Sequence, residues 1–431
     1  MTAQTRAAPS WDESSRTLDS SATFNAMKGT PYYRDAVYEQ FSAAEYARRY
    51  AALRQKMREL GLDCVIAAGG PSHWSFGSGM LWLTGHWEWH ALAAYVVVPL
   101  AGEPVLIYGM GGTHIEAVRR ETAAGVADVR SGQGGRYGEV MARCIREAGL
   151  ERGRIGFLEI DPRHGDYLPV NQYEVLRREL PEAEFVFTSG VMHELLSVHS
   201  DEELDCIRVA GRLCQRAMEA LVERAVPGQT EYQLRAAATS AILEEGGDVD
   251  FLIIGSTPMS APSMVFGNPR PSGRVLQEGD LIVMELAAGY RGYTAQIGSP
   301  VCIGEPPPPV RRFWDDIVLP GYERMVEQVG PGKPVEGLRE AGRYFRGKGA
   351  QSRPIHVHGI DLVSSGPHIF ADHVSAEPYE EIMRPGMVLV VEPTPITADG
   401  TMGMFLGHTF IVTADGRECV DTFPLELIVT S

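Results

Sequence analysis

The sequence predicts a chain in two parts, an α/β domain followed by an α+β domain. Three observations carry this reading. Up to about residue 190, short apolar runs alternate with helical patterns, as in a sheet covered by helices. Around 190–200 the pattern gives way to a long amphipathic helix, SVHSDEELDCIRVAGRLCQRAMEALVERA (197–225). Beyond it the strands are long and often separated by turns rather than helices, which favours a curved antiparallel sheet flanked by helices. The expected division is a flexible extension over 1–41, an α/β domain over 42–196 and an α+β domain over 197–431.

In order along the chain, Ser42 is a candidate N-cap with Glu45 three residues on, and the helix it opens over 43–60 ends at Gly61. DCVIAA (63–68), AYVVVPLAG (94–102), PVLIYG (104–109) and RIGFLEI (154–160) read as strands, and 112–122, 136–149 and 171–180 read as helices. Ser200 and Glu203 form a capping-box pair at the start of the long helix. A helix over 230–245 follows, then strands over 250–255, 281–289, 292–303, 387–393 and 407–413, with helices over 310–328 and 334–347 after the proline-rich turn at 305–309. No internal repeat of 20–50 residues is visible, which argues against solenoids and propellers.

Composition excludes several function classes. The 431 residues are 44% apolar and 22% charged, a folded rather than disordered mixture. A net charge of -17 repels phosphate backbones and anionic bilayers, so neither nucleic acid nor a membrane surface is an expected partner. The six cysteines, at 64, 144, 206, 214, 302 and 419, form no C-x-x-C pair, which suits a reducing cytoplasm. The most apolar stretch, around Ala91 to Leu100, falls far short of the ~20 residues of a membrane span. The opening MTAQTRAAPSWDESS lacks the apolar segment of a secretory signal.

Three constellations carry chemistry. EGDLIVMELAAGYRGYTAQIGSPVCIGEP (278–306) reads as two adjoining strands in which Glu285 and Gln296 interrupt apolar or small-residue runs. A carboxylate in a strand core is costly unless paired or liganded, so Glu285 is a candidate functional group; the alternative is a solvent-facing position on an alternating strand. In PIHVHGIDL (354–362), His356 and His358 share a side if the segment is extended, with Asp361 nearby. Two imidazoles on one face can hold a metal or move protons, although one of them packed in the core is the simpler reading. In PGMVLVVEPTPITADGTMGMFLGHTFIVT (385–413), an apolar strand ends in Glu392-Pro393 and a later one carries Gly407-His408.

From residue 42 onward the chain resembles the pita-bread family of creatinase, prolidase, aminopeptidase P and methionine aminopeptidase. RRYAALRQKMRELGLDCVIAAG (48–69), LWLTGHWEW (81–89) and VVVPLAGEPVLI (96–107) are similar to the creatinase-type N-terminal domain; LQEGDLIVMELAAGYRGYTAQ, VLVVEPTP and GHTFIVT are similar to the catalytic strands. The resemblance implies a pita-bread α+β catalytic domain after an α/β creatinase-type domain. In the family's metallopeptidases two aspartates, one histidine and two glutamates hold two divalent ions. Carried over, these fall on Glu285, Gln296, His356, Glu392 and Gly407, the histidine being chosen because Gly359 follows three residues later. The peptidases' second histidine falls on Val363, and the catalytic histidine of creatinase falls near Gly267 in VFGNPRP (265–271).

With Gln296 and Gly407 in place of carboxylates, two divalent ions are left without charge balance, which makes a dinuclear peptidase centre improbable. Two converging carboxylates repel and push one pKa up unless a cation lies between them. That cation is either one metal ion, held by Glu285, His356 and Glu392, or part of the substrate. Creatinase, a metal-free hydrolase whose glutamates grip a guanidinium, is the precedent for the second answer. The leading expectation is therefore a creatinase-like hydrolase of a small cationic amide or amidine, without cofactor or with one divalent ion. Its expected catalytic residues are His356, Glu392 and Glu285, with Gln296, His358, His408, Trp89 and His90 in substrate binding. An Xaa-Pro metallopeptidase, a lyase of a cationic carboxylate and a non-catalytic binding module are the alternatives. A homodimer is expected, with His86, Trp87, Trp89 and His90 of GHWEWH (85–90) forming a lid over the cation, or with some of them packed under the sheet.

Overall fold

A computed structural model describes residues 39–69, 78–86, 93–111, 113–160, 167–362, 364–371 and 381–431. The chain divides into two compact units, Met1–Leu195 and Leu196–Ser431.

The first unit is a mixed sheet with helices. Helix α1 (Ala43–Leu60) is set by local chemistry at both ends: the Ser42 hydroxyl accepts from the Glu45 N–H at 3.1 Å, and Gly61 closes the helix at φ 64°. After it come β1 (Cys64–Gly69), α2 (Ser78–Thr84), β2 (Ala94–Pro99), β3 (Val105–Tyr108), α3 (Thr113–Thr122) and β4 (Asp128–Ser131). The unit continues through α4 (Tyr137–Glu147), β5 (Arg154–Phe157), α5 (Val170–Glu179) and β6 (Glu184–Phe187) to α6 (Val191–Leu196). The strand order is β4-β3-β2-β1-β5-β6, with β1, β2 and β3 antiparallel and the outer pairings parallel. His86, expected in a lid, is instead buried, with Nδ1 2.9 Å from Glu121 Oε2 and its ring edge-on to Tyr108. Trp87, Trp89 and His90 lie outside the described residues.

The second unit opens with α7 (Asp201–Arg224) and α8 (Glu231–Glu244), each started by a complete capping box, Ser200 with Glu203 and Thr230 with Gln233. Strands β7 (Asp248–Pro258), β8 (Asp280–Tyr290), β9 (Tyr293–Ile297) and β10 (Val301–Ile303) then form most of one sheet. Helix α9 (Pro308–Phe313), a π-helical turn (Trp314–Val318), α10 (Leu319–Val326) and α11 (Glu336–Gly347) cover a large apolar core. The rest is β11 (Gln351–Ser352), β12 (Ile355–Ile360), β13 (Ser364–Phe370), β14 (Val388–Val391), β15 (Pro395–Ile396), β16 (His408–Val412), β17 (Arg417–Cys419) and β18 (Ile428–Thr430).

Two five-stranded sheets result. One runs β18-β10-β8-β7 with β9 on β8, the other β13-β12-β14-β16-β17. They are stitched together where Gly298 and Gly407 exchange backbone hydrogen bonds at 3.0 and 2.9 Å. A second stitch is Thr409, whose Oγ1 accepts from Gln296 N at 2.8 Å and donates to Gln296 O at 3.0 Å. No helix among the described residues is long and apolar enough to cross a membrane.

Candidate active site

The site forms where β8, β9, β12 and the end of β14 converge beside these stitches. Strand β8 is buried from Asp280 to Gly289, so Glu285 is a carboxylate inside an apolar strand and not on a solvent face. The pairing of Ala287 with Gln296 puts Glu285 and Gln296 on the same face as diagonal neighbours. On the other sheet His358 pairs with Val390, and Glu392 follows β14 with its N–H donating to His356 O at 2.8 Å. Glu285, Gln296, His358 and Glu392 are 9%, 1%, 5% and 5% exposed, so their polar atoms must satisfy one another or a ligand.

Gln296 is the centre of the arrangement. Its amide nitrogen donates to Glu285 Oε1 at 2.5 Å and also to Glu392 Oε2, which uses both amide hydrogens and fixes the amide's orientation. Burial and the neighbouring Glu392 raise the pKa of Glu285 well above the usual carboxylate value, while Arg353 and the Gln296 amide oppose the shift. Burial and the second carboxylate thus favour the protonated form of Glu285. His358 donates Nδ1–H to Gly359 O at 2.8 Å, and its Nε2 lies 3.3 Å from Glu392 Oε1. With Nδ1 carrying one hydrogen, the Nε2 to carboxylate contact is attractive only when a proton lies between them.

Two expected residues are not in this group. His356 faces α11: Nε2 is 2.6 Å from Ser352 Oγ, the ring is edge-on to Phe345, and Nδ1 lies against Gly342. Its desolvated ring is pushed down to a pKa of about 4. The correction has a backbone cause, because the register of β12 against β13 shifts on both sides of Val357 and breaks the alternation that puts residues two apart on one face. His408 also points away. Its strand neighbour Thr409 faces Gln296, while His408 Nδ1 sits 3.0 and 3.1 Å from the two Asp421 carboxylate oxygens, near the Tyr322 ring.

Sequence reasoning missed Phe405, Phe266 and Arg353. A Cβ on Gly407 falls 2.7 Å from the Phe405 ring and 3.2 Å from Glu392 Cβ, and one on Gly298 falls 2.4 Å from the same ring. Phe405 therefore fills the space next to Glu392 into which a longer residue 407 would reach. Gly267 has no room either, since its Cβ falls 2.7 Å from Val283 O, but the adjacent Phe266 packs edge-on to Phe405 at 5.9 Å. Only a motif containing the aromatic residues could have signalled this wall, and the chain's phenylalanines follow no spacing that marks them.

Profiles of two protein families match the chain: "Creatinase/Prolidase N-terminal domain" over residues 49–195 and "Metallopeptidase family M24" over 205–414. The chain carries a creatinase/prolidase-type N-terminal domain followed by an M24 metallopeptidase-type domain. It is 31% identical over 250 residues to the Mycobacterium tuberculosis protein named "Probable dipeptidase PepE", a match spanning 57% of the chain and 64% of that protein's length. It is 25% identical over 406 residues to the ectoine hydrolase of Halomonas elongata, covering 90% of the chain and 98% of the relative. Among solved structures, the Xaa-Pro dipeptidase of Bacillus anthracis superimposes with a TM-score of 0.71 at 22% identity over 89% of the chain and all of its own, which supports the pita-bread fold.

The donors of the chain do not fit a two-metal centre. An amide and a glycine replace two carboxylates, the amide nitrogen sits between the remaining two, and Phe405 occupies the space beside Gly407. For one ion, ligands at ~2.1 Å must lie within ~4.2 Å of each other. Glu285, His358 and Glu392 are not gathered that closely; among the described residues the single group within 4.8 Å is His408, Cys419 and Asp421, in which the Asp421 carboxylate already bonds the other two.

Proposed function

We propose that this chain hydrolyses a C–N bond of a small cationic amidine-type compound and does so without a metal-bound step. The observation that carries the reading is the Gln296 amide bridging Glu285 and Glu392, because it holds two buried carboxyl groups side by side where they can offer negative charge to one cationic group. The 25% identity to an ectoine hydrolase along nearly the whole of both chains supports it, since ectoine is a cyclic amidine.

In this reading the amidinium lies against the carboxylates with its N–H groups donating to them. Glu392 with His358 takes the proton of a water that attacks the amidinium carbon. The tetrahedral adduct then collapses: its C–N bond breaks, the Glu285 carboxyl and the adduct's hydroxyl each deliver a proton to the departing nitrogen, and an amide and an ammonium result. Water gives up two protons, one to His358–Glu392 and one from the adduct's hydroxyl, and the departing nitrogen gains two, so the site returns to its starting protonation once the His358–Glu392 proton passes back to Glu285.

The test is Glu392→Gln, which keeps the shape and removes the charge. Binding of a cyclic amidine should weaken about 10-fold or more, with turnover lost. Unchanged affinity would sink the proposal. The Xaa-Pro dipeptidases among the relatives favour a second reading, peptide hydrolysis, which turnover of Xaa-Pro dipeptides in preference to amidines would establish.

A further inference from the structure

The site contains a cation that the chemistry above does not use. Arg353 is half-buried, and its guanidinium lies over the face of Phe266 at 3.5 Å from the ring centre. No hydrogen bond or carboxylate partner of that guanidinium exists among the described residues. Its backbone is fixed relative to the site, because Arg353 N donates to Thr394 O at 3.0 Å, two residues past Glu392. Phe266 in turn packs on Phe405, the ring seated against Gly298 and Gly407 beside Glu392. The charge of Arg353 is close enough to Glu285 to oppose the effect of burial on that carboxyl.

A guanidinium stacked on an aromatic face keeps its N–H edge free and in plane, the geometry that takes a carboxylate through two parallel hydrogen bonds. Left unpaired beside two acidic side chains that reach Gln296 instead, it is complementary to an anion brought by the ligand. We infer that Arg353 is a specificity-determining residue that anchors a carboxylate of the substrate. The substrate is then a compact zwitterion, its cationic group at Glu285 and Glu392 and its carboxylate against Arg353, with the aromatic wall of Phe266 and Phe405 lining the span between. This deepens the proposed function and rests on it for the identity of the cationic end only.

The experiment measures binding and turnover for two matched pairs: ectoine against the same ring without its carboxylate, and an Xaa-Pro dipeptide against its C-terminal amide. Wild-type protein should favour the carboxylate member of the pair it accepts by about 10- to 100-fold, the range for a two-bond charged contact. In Arg353→Met, which keeps a long apolar stem against Phe266, that preference should fall to near unity; Arg353→Lys should restore part of it. If the peptide pair alone is accepted, with an Arg353-dependent preference, the amidine reading fails and the assignment of Arg353 stands. A preference that persists in Arg353→Met, or no preference in the wild type, overturns the assignment. A protein that binds neither pair overturns both.

Discussion

The placement of His356 against α11 gives a prediction that separates a structural histidine from a catalytic one. The perturbation is His356→Gln, which can retain the bond to Ser352 but cannot gain a proton. In the folded chain the imidazole titrates at about 4, below its ordinary value near 6.5, because the charged form is desolvated. A base whose folded value is depressed contributes stability that is present above pH 6.5 and is lost as pH falls towards 4, since the unfolded chain takes up the proton first. The linkage amounts to about 2 kcal/mol by pH 5 and approaches ~3 kcal/mol below pH 4. Urea unfolding of the full chain at pH 7.5 and pH 5 is the assay. Wild type should lose about 2 kcal/mol more than His356→Gln between the two, the other titrating groups cancelling in the difference. Parallel pH dependence in the two proteins would refute the buried neutral assignment, and loss of turnover in His356→Gln at unchanged stability would return the catalytic role to His356.

Other outcomes follow from the same geometry. His358→Asn should lower turnover of an amidine by about 10²- to 10⁴-fold while leaving its KM within a few-fold, as for loss of a general base, measured by steady-state kinetics. Glu285 has a folded pKa above its ordinary value, so its effect on stability is lost as pH rises through that folded value. Glu285→Gln should therefore be inactive yet more stable than wild type at pH 8, by thermal unfolding; a less stable variant would contradict the burial argument. Light scattering at micromolar concentration should give twice the chain mass, the homodimer that the creatinase-type N-terminal domain suggests.

How much was legible in the sequence depends on how local each signal is. The caps at Ser42, Gly61 and Ser200 were readable because capping involves residues within one turn of each other. Strands β4 and β6 left no mark: DVRS and EFVF are four residues each, half-exposed, with no run of apolar alternation. The helix expected over 310–328 is interrupted by the π-helical turn at Trp314–Val318, which precedes Pro320 and has no pattern of its own. Glu285, Gln296 and Glu392 stood out because polar groups inside apolar strands are expensive, and the structure brings these three together. The choice between His356 and His358 was beyond reach, since it depends on register shifts against β13. Arg353 and Phe405 were invisible for the same reason: their proximity to the carboxylates is created by contacts between Phe405 and Gly298 and between Arg353 and Phe266, each far apart in sequence.

In the proposed function the chain acts through Glu285, Gln296, His358 and Glu392 and not through a pair of metal ions. The most direct measurement is turnover of ectoine by protein stripped with a chelator, with its metal content determined on the same sample. Hydrolysis should be undiminished at far less than one equivalent of metal per chain. Activity that vanishes on chelation and returns only with about two equivalents of manganese, zinc or cobalt would contradict it.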